Sequence, residues 1–299
     1  MKKFLLTLIG IILGLFVLLS LLDKSNYKIE KKIWKVQKEF YVISKDPKVV
    51  PAAKFEEVAK SYRKIAEKYP KSSLTPRIYL HIGMVYAVQK NFPKARAAFE
   101  EAIKRYPDNA PLVAEALFSI GLTHDQEKHP DQVLKVYDQI IKSYPLTKVG
   151  FKAPLYKANY LMRIQRTQEG QQALNEAVNF YKNIAQEHPK TPLEFISLRF
   201  LFTTYMAQKD WANVITTLER LLLNFSSPQY LDGRRAEILV KSINTISVSQ
   251  LKDYKRPVGI YKKFIAQYPE HPLSGDLKKV ISTLQKFEKE GVTLNPRSK

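Results

Sequence analysis

Six segments of helical pattern in this 299-residue chain end on an aromatic residue or histidine at near-regular intervals. The terminal residues are Tyr69, Tyr106, Tyr144, His188, Phe225 and Tyr268, and all but Phe225 precede a proline. The gaps between them are 37, 38, 44, 37 and 43 residues. Proline cannot continue a helix without losing a hydrogen bond, and it disfavours helical backbone at the residue before it. Between stops there is room for one pair of helices. A lone pair cannot bury its apolar face, so such units must stack on one another. No run of strand-like alternation and no Asn-Gly hairpin turn competes with this reading. The spacing predicts an all-α array of about six helical hairpins over residues 27–291, with 292–299 as a short tail.

The best unit is 76–107, PRIYLHIGMVYAVQKNFPKARAAFEEAIKRYP. Tyr79, Gly83 and Tyr86 mark its first half, and Ala95, Phe99, Ala102 and Pro107 its second. This resembles the tetratricopeptide repeat, whose pattern runs W-x2-L-G-x2-Y, then A-x3-F, then a late proline. Tyr79 takes the Trp position and Ile82-Gly83 the Leu-Gly. The unit 114–145 carries Leu117, Ile120, Gly121, Val133, Tyr137, Ile140 and Pro145 at the same offsets, with His124 where the family prefers Tyr. A third unit holds Leu198, Leu201, Tyr205, Val214, Leu218 and Leu221, but Phe202 replaces the Gly and Ser226 the Pro. The resemblance implies a right-handed superhelical solenoid. Gly83 and Gly121 sit in helices, where Gly costs about 1 kcal/mol relative to Ala; close approach of the paired helix is the expected compensation. Apolar stripes at 27–44 and 273–289 are the expected first and last helices.

The resemblance also implies where to look for a ligand, because first helices line a concave groove in this family. The matching positions are Arg77, Leu80, Met84, Ala87 and Val88, then Glu115, Phe118, Leu122, Asp125 and Gln126. The third unit offers Ile196, Arg199, Thr203, Met206 and Ala207. Relatives that clamp a carboxyl-terminal tail need Asn where Met84, Leu122 and Thr203 stand, so a carboxylate clamp is excluded. The stripe suits an apolar peptide or helix of a protein partner. The competing reading is that the same residues pack against neighbouring hairpins.

The amino terminus reads differently. Phe4 to Leu22 is uncharged, and nineteen residues span roughly 28 Å, near the thickness of a bilayer core. Ser20-Leu21-Leu22-Asp23 makes a poor cleavage site, so 1–26 reads as an uncleaved anchor rather than a signal peptide. Gly10 and Gly14 fit the small-xxx-small pattern of helix pairing in membranes. Lys2 and Lys3 favour a cytoplasmic amino terminus, while the six lysines between Lys24 and Lys38 oppose it. The expectation is a single-pass inner-membrane protein with its soluble part in the periplasm. Repeats ending on Tyr-Pro resemble those of bacterial envelope proteins, among them the outer-membrane assembly lipoprotein and the Tol–Pal coordinator. The chain lacks the acylated cysteine of the lipoprotein.

With no cysteine, disulfides, thiol catalysis and cysteine-ligated metals are excluded. There is no phosphate-binding glycine loop, no H-E-x-x-H and no G-x-S-x-G. His124 and His129 lie five apart, which does not align them on one helix face as metal ligands. Adjacent carboxylates such as Glu100-Glu101 read as solvated charge. No catalytic, metal or cofactor residues are therefore expected, and the chain is expected not to be an enzyme. The net charge of +21 suits an anionic partner. Yet 37 Lys against 12 Arg lacks the Arg bias of nucleic-acid sites. Two functions remain: a membrane-tethered scaffold for a protein partner, or a basic-surface binder of nucleic acid or anionic lipid, the latter through Lys24–Lys48.

Overall fold

A computed structural model describes residues 27–227 and 229–290. Among these, all regular structure is helical. Helix α1 covers 27–44. It is followed by α2 Ala52–Lys68, α3 Thr75–Val88, α4 Phe92–Arg105, α5 Ala110–Gln126 and α6 Pro130–Ser143. Then come α7 Ala153–Arg163, α8 Thr167–Glu187, α9 Pro192–Gln208, α10 Trp211–Asn224, α11 Gly233–Ser249, α12 Lys255–Gln267 and α13 Pro272–Glu290. Contacts divide the chain into two compact units, 1–153 and 154–299. In the first, α3 packs on α2, α4 and α5, and α5 on α4 and α6. In the second, α9 packs on α8 and α10, α10 on α11 and α12, and α13 on α11 and α12. Each unit is thus built by helices packing on their chain neighbours and on the helix after next.

The recurring stop has a clear local mechanism. All six predicted stop residues are helix C-caps, closing α2, α4, α6, α8, α10 and α12. Each still donates its amide to the carbonyl four residues back, as Tyr106 does to Ala102. Then the backbone leaves the helix, at φ −135° and ψ 54° for Tyr106. Phe225, the one stop without a following proline, lies nearest helical geometry at ψ 22°, as expected if proline drives the departure. The stop is also a turn. Ser72, Asn109, Thr147 and His271 donate their amides back to Tyr69, Tyr106, Tyr144 and Tyr268 at 3.1 Å, placing proline at the second turn position, where its fixed φ fits. Asn109 then caps the next helix by accepting from Leu112 N at 3.2 Å. In Tyr-Pro-Asp-Asn, four residues therefore end one helix, turn the chain and start another.

The joints inside hairpins use left-handed backbone. Lys90, Lys128, Gln165, Lys209 and Lys252 have φ between 56° and 64°, each between a first helix and its second. At the first four, the next residue donates to the carbonyl five positions earlier, as Asn91 does to Tyr86 at 2.9 Å. This ring satisfies orphaned carbonyls at the helix end, and the residue at that position is usually glycine. Here it is mostly lysine.

Gly83 and Gly121, the glycines of the two best-matched units, are not equivalent. A Cβ on Gly83 would lie 2.3 Å from the ring of Phe99 in α4, so close approach of the paired helix does require glycine there. At Gly121 the nearest atom is a Val136 methyl carbon at 3.2 Å. Gly83→Ala is expected to lower stability by about 1–2 kcal/mol, because overpacking outweighs the gain in helix propensity. Gly121→Ala is expected to change it by less than about 0.5 kcal/mol, since the two terms nearly offset. Denaturant titration of both variants measures the difference.

Of the expected stripe on α1, Ile29 and Val36 are buried while Ile33 and Phe40 are half-buried, and Ile43 is buried beyond it. On α13, Leu277, Ile281 and Leu284 are buried, Val280 and Phe287 half-buried, and Leu273 is buried as well. No helix among the described residues is long and apolar enough to cross a membrane. The predicted anchor at 1–26, with Gly10 and Gly14, and the tail at 292–299 lie outside the described residues.

Candidate partner-binding groove

In the first unit, groove positions recur at the repeat period of 38 residues, pairing Arg77 with Glu115, Leu80 with Phe118, Met84 with Leu122 and Val88 with Gln126. The first pair is direct: the Arg77 guanidinium lies 3.4 Å from the Glu115 carboxylate, joining α3 to α5 at the surface. Two more ion pairs span the same interval, both joining α2 to α4. Lys94 meets Glu56 at 2.5 Å, and Arg63 meets Glu101 through two hydrogen bonds of 3.1 and 2.9 Å. Burial works against charge on Glu101, but bonds from Arg63 and Arg105 hold its carboxyl below the usual range. These pairs are half exposed, so each adds little stability; their geometry fixes how one hairpin sits on the next.

The groove residues divide by burial. Leu80 is buried at 7% exposure, so it belongs to the core and not to a free surface. Phe118 is half-buried, its ring 6.3 Å from Tyr137 of its own hairpin. Val88 and Asp125 are also half-buried, whereas Arg77 and Gln126 are exposed. Met84 and Leu122 stand out at 46% and 48% exposure. They occupy equivalent positions on α3 and α5, which pack against each other. The result is an apolar step between the Arg77–Glu115 pair and Gln126. In the second unit Ile196 and Met206 are the exposed large apolar residues of α9. Arg199 and Thr203 lie exposed between them, Thr203 donating its hydroxyl to the Arg199 carbonyl at 3.1 Å.

One juxtaposition is not visible from spacing. The residues after α5 leave the helix at Lys128, φ 62°, which folds His129 back. The rings of His124 and His129 come within 6.1 Å, and Glu127 lies 4.0 and 3.7 Å from their Nδ1 atoms. Ligand atoms of the three fall within 4.8 Å of one another. The helix-face argument against this pair thus fails, because His129 is not on the helix. However, Arg96 already holds Glu127 at 2.5 Å, so a cation there would have to displace a guanidinium. Burial, aided by Arg96, pushes the His124 imidazole below its ordinary value, while Arg96 and the two histidines keep Glu127 ionised. The cluster reads as an ion pair that fixes the hairpin turn.

A second buried polar group lies in the other unit. Glu194 in the first turn of α9 is fully buried. Its carboxylate accepts from Arg220 Nε at 2.5 Å, from Asn224 Nδ2 at 3.3 Å and from the Lys190 amide. Arg220 also donates to the Ala185 carbonyl at 2.9 Å, tying α10 to α8 and α9 together.

Comparison with known proteins agrees with the best-matched unit. Residues 76–109 match the family model described as tetratricopeptide repeat. No curated protein matches the chain. Among solved structures, a thermophilic tetratricopeptide repeat protein of Thermus thermophilus aligns at 15% identity and a TM-score of 0.35, covering 71% of this chain and 99% of that one. A tetratricopeptide repeat protein from Parabacteroides merdae aligns at 11% identity and 0.35, covering 85% and 99%. BtubC from P. vanneervenii aligns at 11% and 0.39, covering 91% and 96%. The described residues of this chain are thus helical throughout their regular structure, and residues 76–109 are similar to the tetratricopeptide repeat.

Proposed function

We propose that this chain is a membrane-tethered scaffold that holds a protein partner against the first helices of its repeats. The observation that carries the reading is the pair Met84 and Leu122, two large apolar side chains left about half exposed at equivalent positions on adjacent helices. Repeated apolar positions on adjacent helices suit an amphipathic helix or extended segment, whose anchors would fill the step between them. Met84 adds adaptability through its flexible thioether. The Arg77–Glu115 pair borders the step at one end. The tether is the uncharged run from Phe4 to Leu22, and the placement we favour is the inner membrane with the repeats in the periplasm, serving envelope assembly or maintenance. The chemistry we propose for the groove is binding.

A photoreactive residue at position 84 or 122, in the full chain in cells, tests this. The expected product is an adduct to one other protein from both positions. Adducts only to the chain's own helices would show that the surface packs internally.

A further inference from the structure

The most unusual exposed surface lies outside the groove, on α1. While Ile29, Val36 and Ile43 are buried at seven-residue intervals, the opposite face carries Tyr27, Trp34 and Tyr41 at the same intervals, 63%, 55% and 64% exposed. Lys31, Lys38 and Lys45 lie four residues after each ring, all exposed. Lys38 Nζ sits 4.0 Å from the centre of the Trp34 ring, and Lys45 Nζ 4.8 Å from that of Tyr41. The helix is thus amphipathic in two directions, with an aliphatic face inward and an aromatic-lysine face outward. Lys28, Lys32 and Lys35 add further positive charge against Glu30 and Glu39.

We infer that this outer face of α1 docks on the headgroup region of an anionic lipid bilayer. Trp and Tyr are amphipathic rings that settle at the membrane-water interface, and each nearby lysine adds attraction to anionic headgroups. The position along the chain fits: the uncharged run ends at Leu22, five residues before Tyr27. This rests on the tethering proposed above and specifies what the first helix does beside the tether. Two other occupants fit less well. A second copy would bring the lysine rows of two helices together. Single-stranded nucleic acid binds by stacking its bases on exposed ring faces. One face of the Trp34 ring and one of the Tyr41 ring are already covered by ammonium groups, which leaves fewer faces for stacking. The consequence is orientation: the first hairpin is held at the bilayer surface instead of swinging on a flexible stalk.

The test uses the full chain with Trp211→Phe, leaving Trp34 as the single tryptophan, reconstituted into phosphatidylcholine–phosphatidylglycerol vesicles. Some vesicles carry lipids brominated near the top of the acyl chain. Trp34 emission should shift to shorter wavelength and lose most of its intensity in the brominated vesicles. The triple variant Lys31→Gln/Lys38→Gln/Lys45→Gln should still float with the vesicles but lose the quenching. If the parent chain floats and Trp34 is not quenched, docking is overturned while the tether stands. If the chain does not float, both are overturned. Equal quenching in pure phosphatidylcholine overturns the anionic preference. Quenching by a single-stranded oligonucleotide where vesicles give none assigns the face to nucleic acid and overturns the inference.

Discussion

Replacing Arg220 by methionine will destabilise the fold by about 3–5 kcal/mol, the usual cost of stranding a buried charge. Glu194 has no exposed surface. Among the described residues its one charged partner is Arg220, and Asn224 and the Lys190 amide offer only neutral donors. A methionine would fill much of the space along α10 and leave the carboxylate uncompensated. The Ala185 carbonyl would lose a donor as well. The double variant Glu194→Gln/Arg220→Met should recover a large part of the loss, because a neutral amide costs less to bury than an ion. Chemical denaturation of the three proteins measures this. A single variant within about 0.5 kcal/mol of the parent would mean that Glu194 is not held as described, and with it the packing of α10 on α8 and α9.

How much of this is legible in the sequence depends on the range of the interaction. The stops are fully legible, since Tyr-Pro acts on its own backbone and its four-residue turn needs no distant partner. The Gly83 contact is legible in kind, because a helical glycine asks for a close neighbour, but its counterpart at Gly121 proves looser. The Thr-Pro-Leu-Glu stretch at 191–194 has the pattern of a capping box, and Thr191 does accept from the Glu194 amide at 3.4 Å. Nothing local tells that Glu194 is buried under an arginine from 26 residues further on. His129 escapes the sequence for a related reason: spacing rules hold only while the chain stays helical, and Lys128 ends that. Among groove residues, family position cannot separate Leu80, which is core, from Met84, which is exposed. On α1 the lysines between Lys24 and Lys48 are legible as a surface for anionic lipid, but the rings of Tyr27, Trp34 and Tyr41 beside them go unnoticed although their seven-residue spacing is plain in the sequence. The aliphatic stripe on the same helix meets the requirement for a core, and so hides the aromatics on the other side as a second face.

The groove itself carries the second large effect. In Met84→Asp/Leu122→Asp, both exposed anchors become carboxylates without touching the core, so the thermal midpoint should stay within a few degrees of the parent. Fully burying a Met or Leu side chain contributes about 1.5–3 kcal/mol. Both side chains are already about half covered, so a partner gains roughly half of that from each, and a buried carboxylate opposes binding further. Together the substitutions should weaken the partner on the order of a hundredfold to a thousandfold. The measurement is the recovery of the crosslink-identified partner with the full-length chain in mild detergent, parent against double variant, with unfolding midpoints recorded in parallel. A folded variant that retains almost none of the partner is the predicted result. A folded variant that retains it undiminished would contradict the groove.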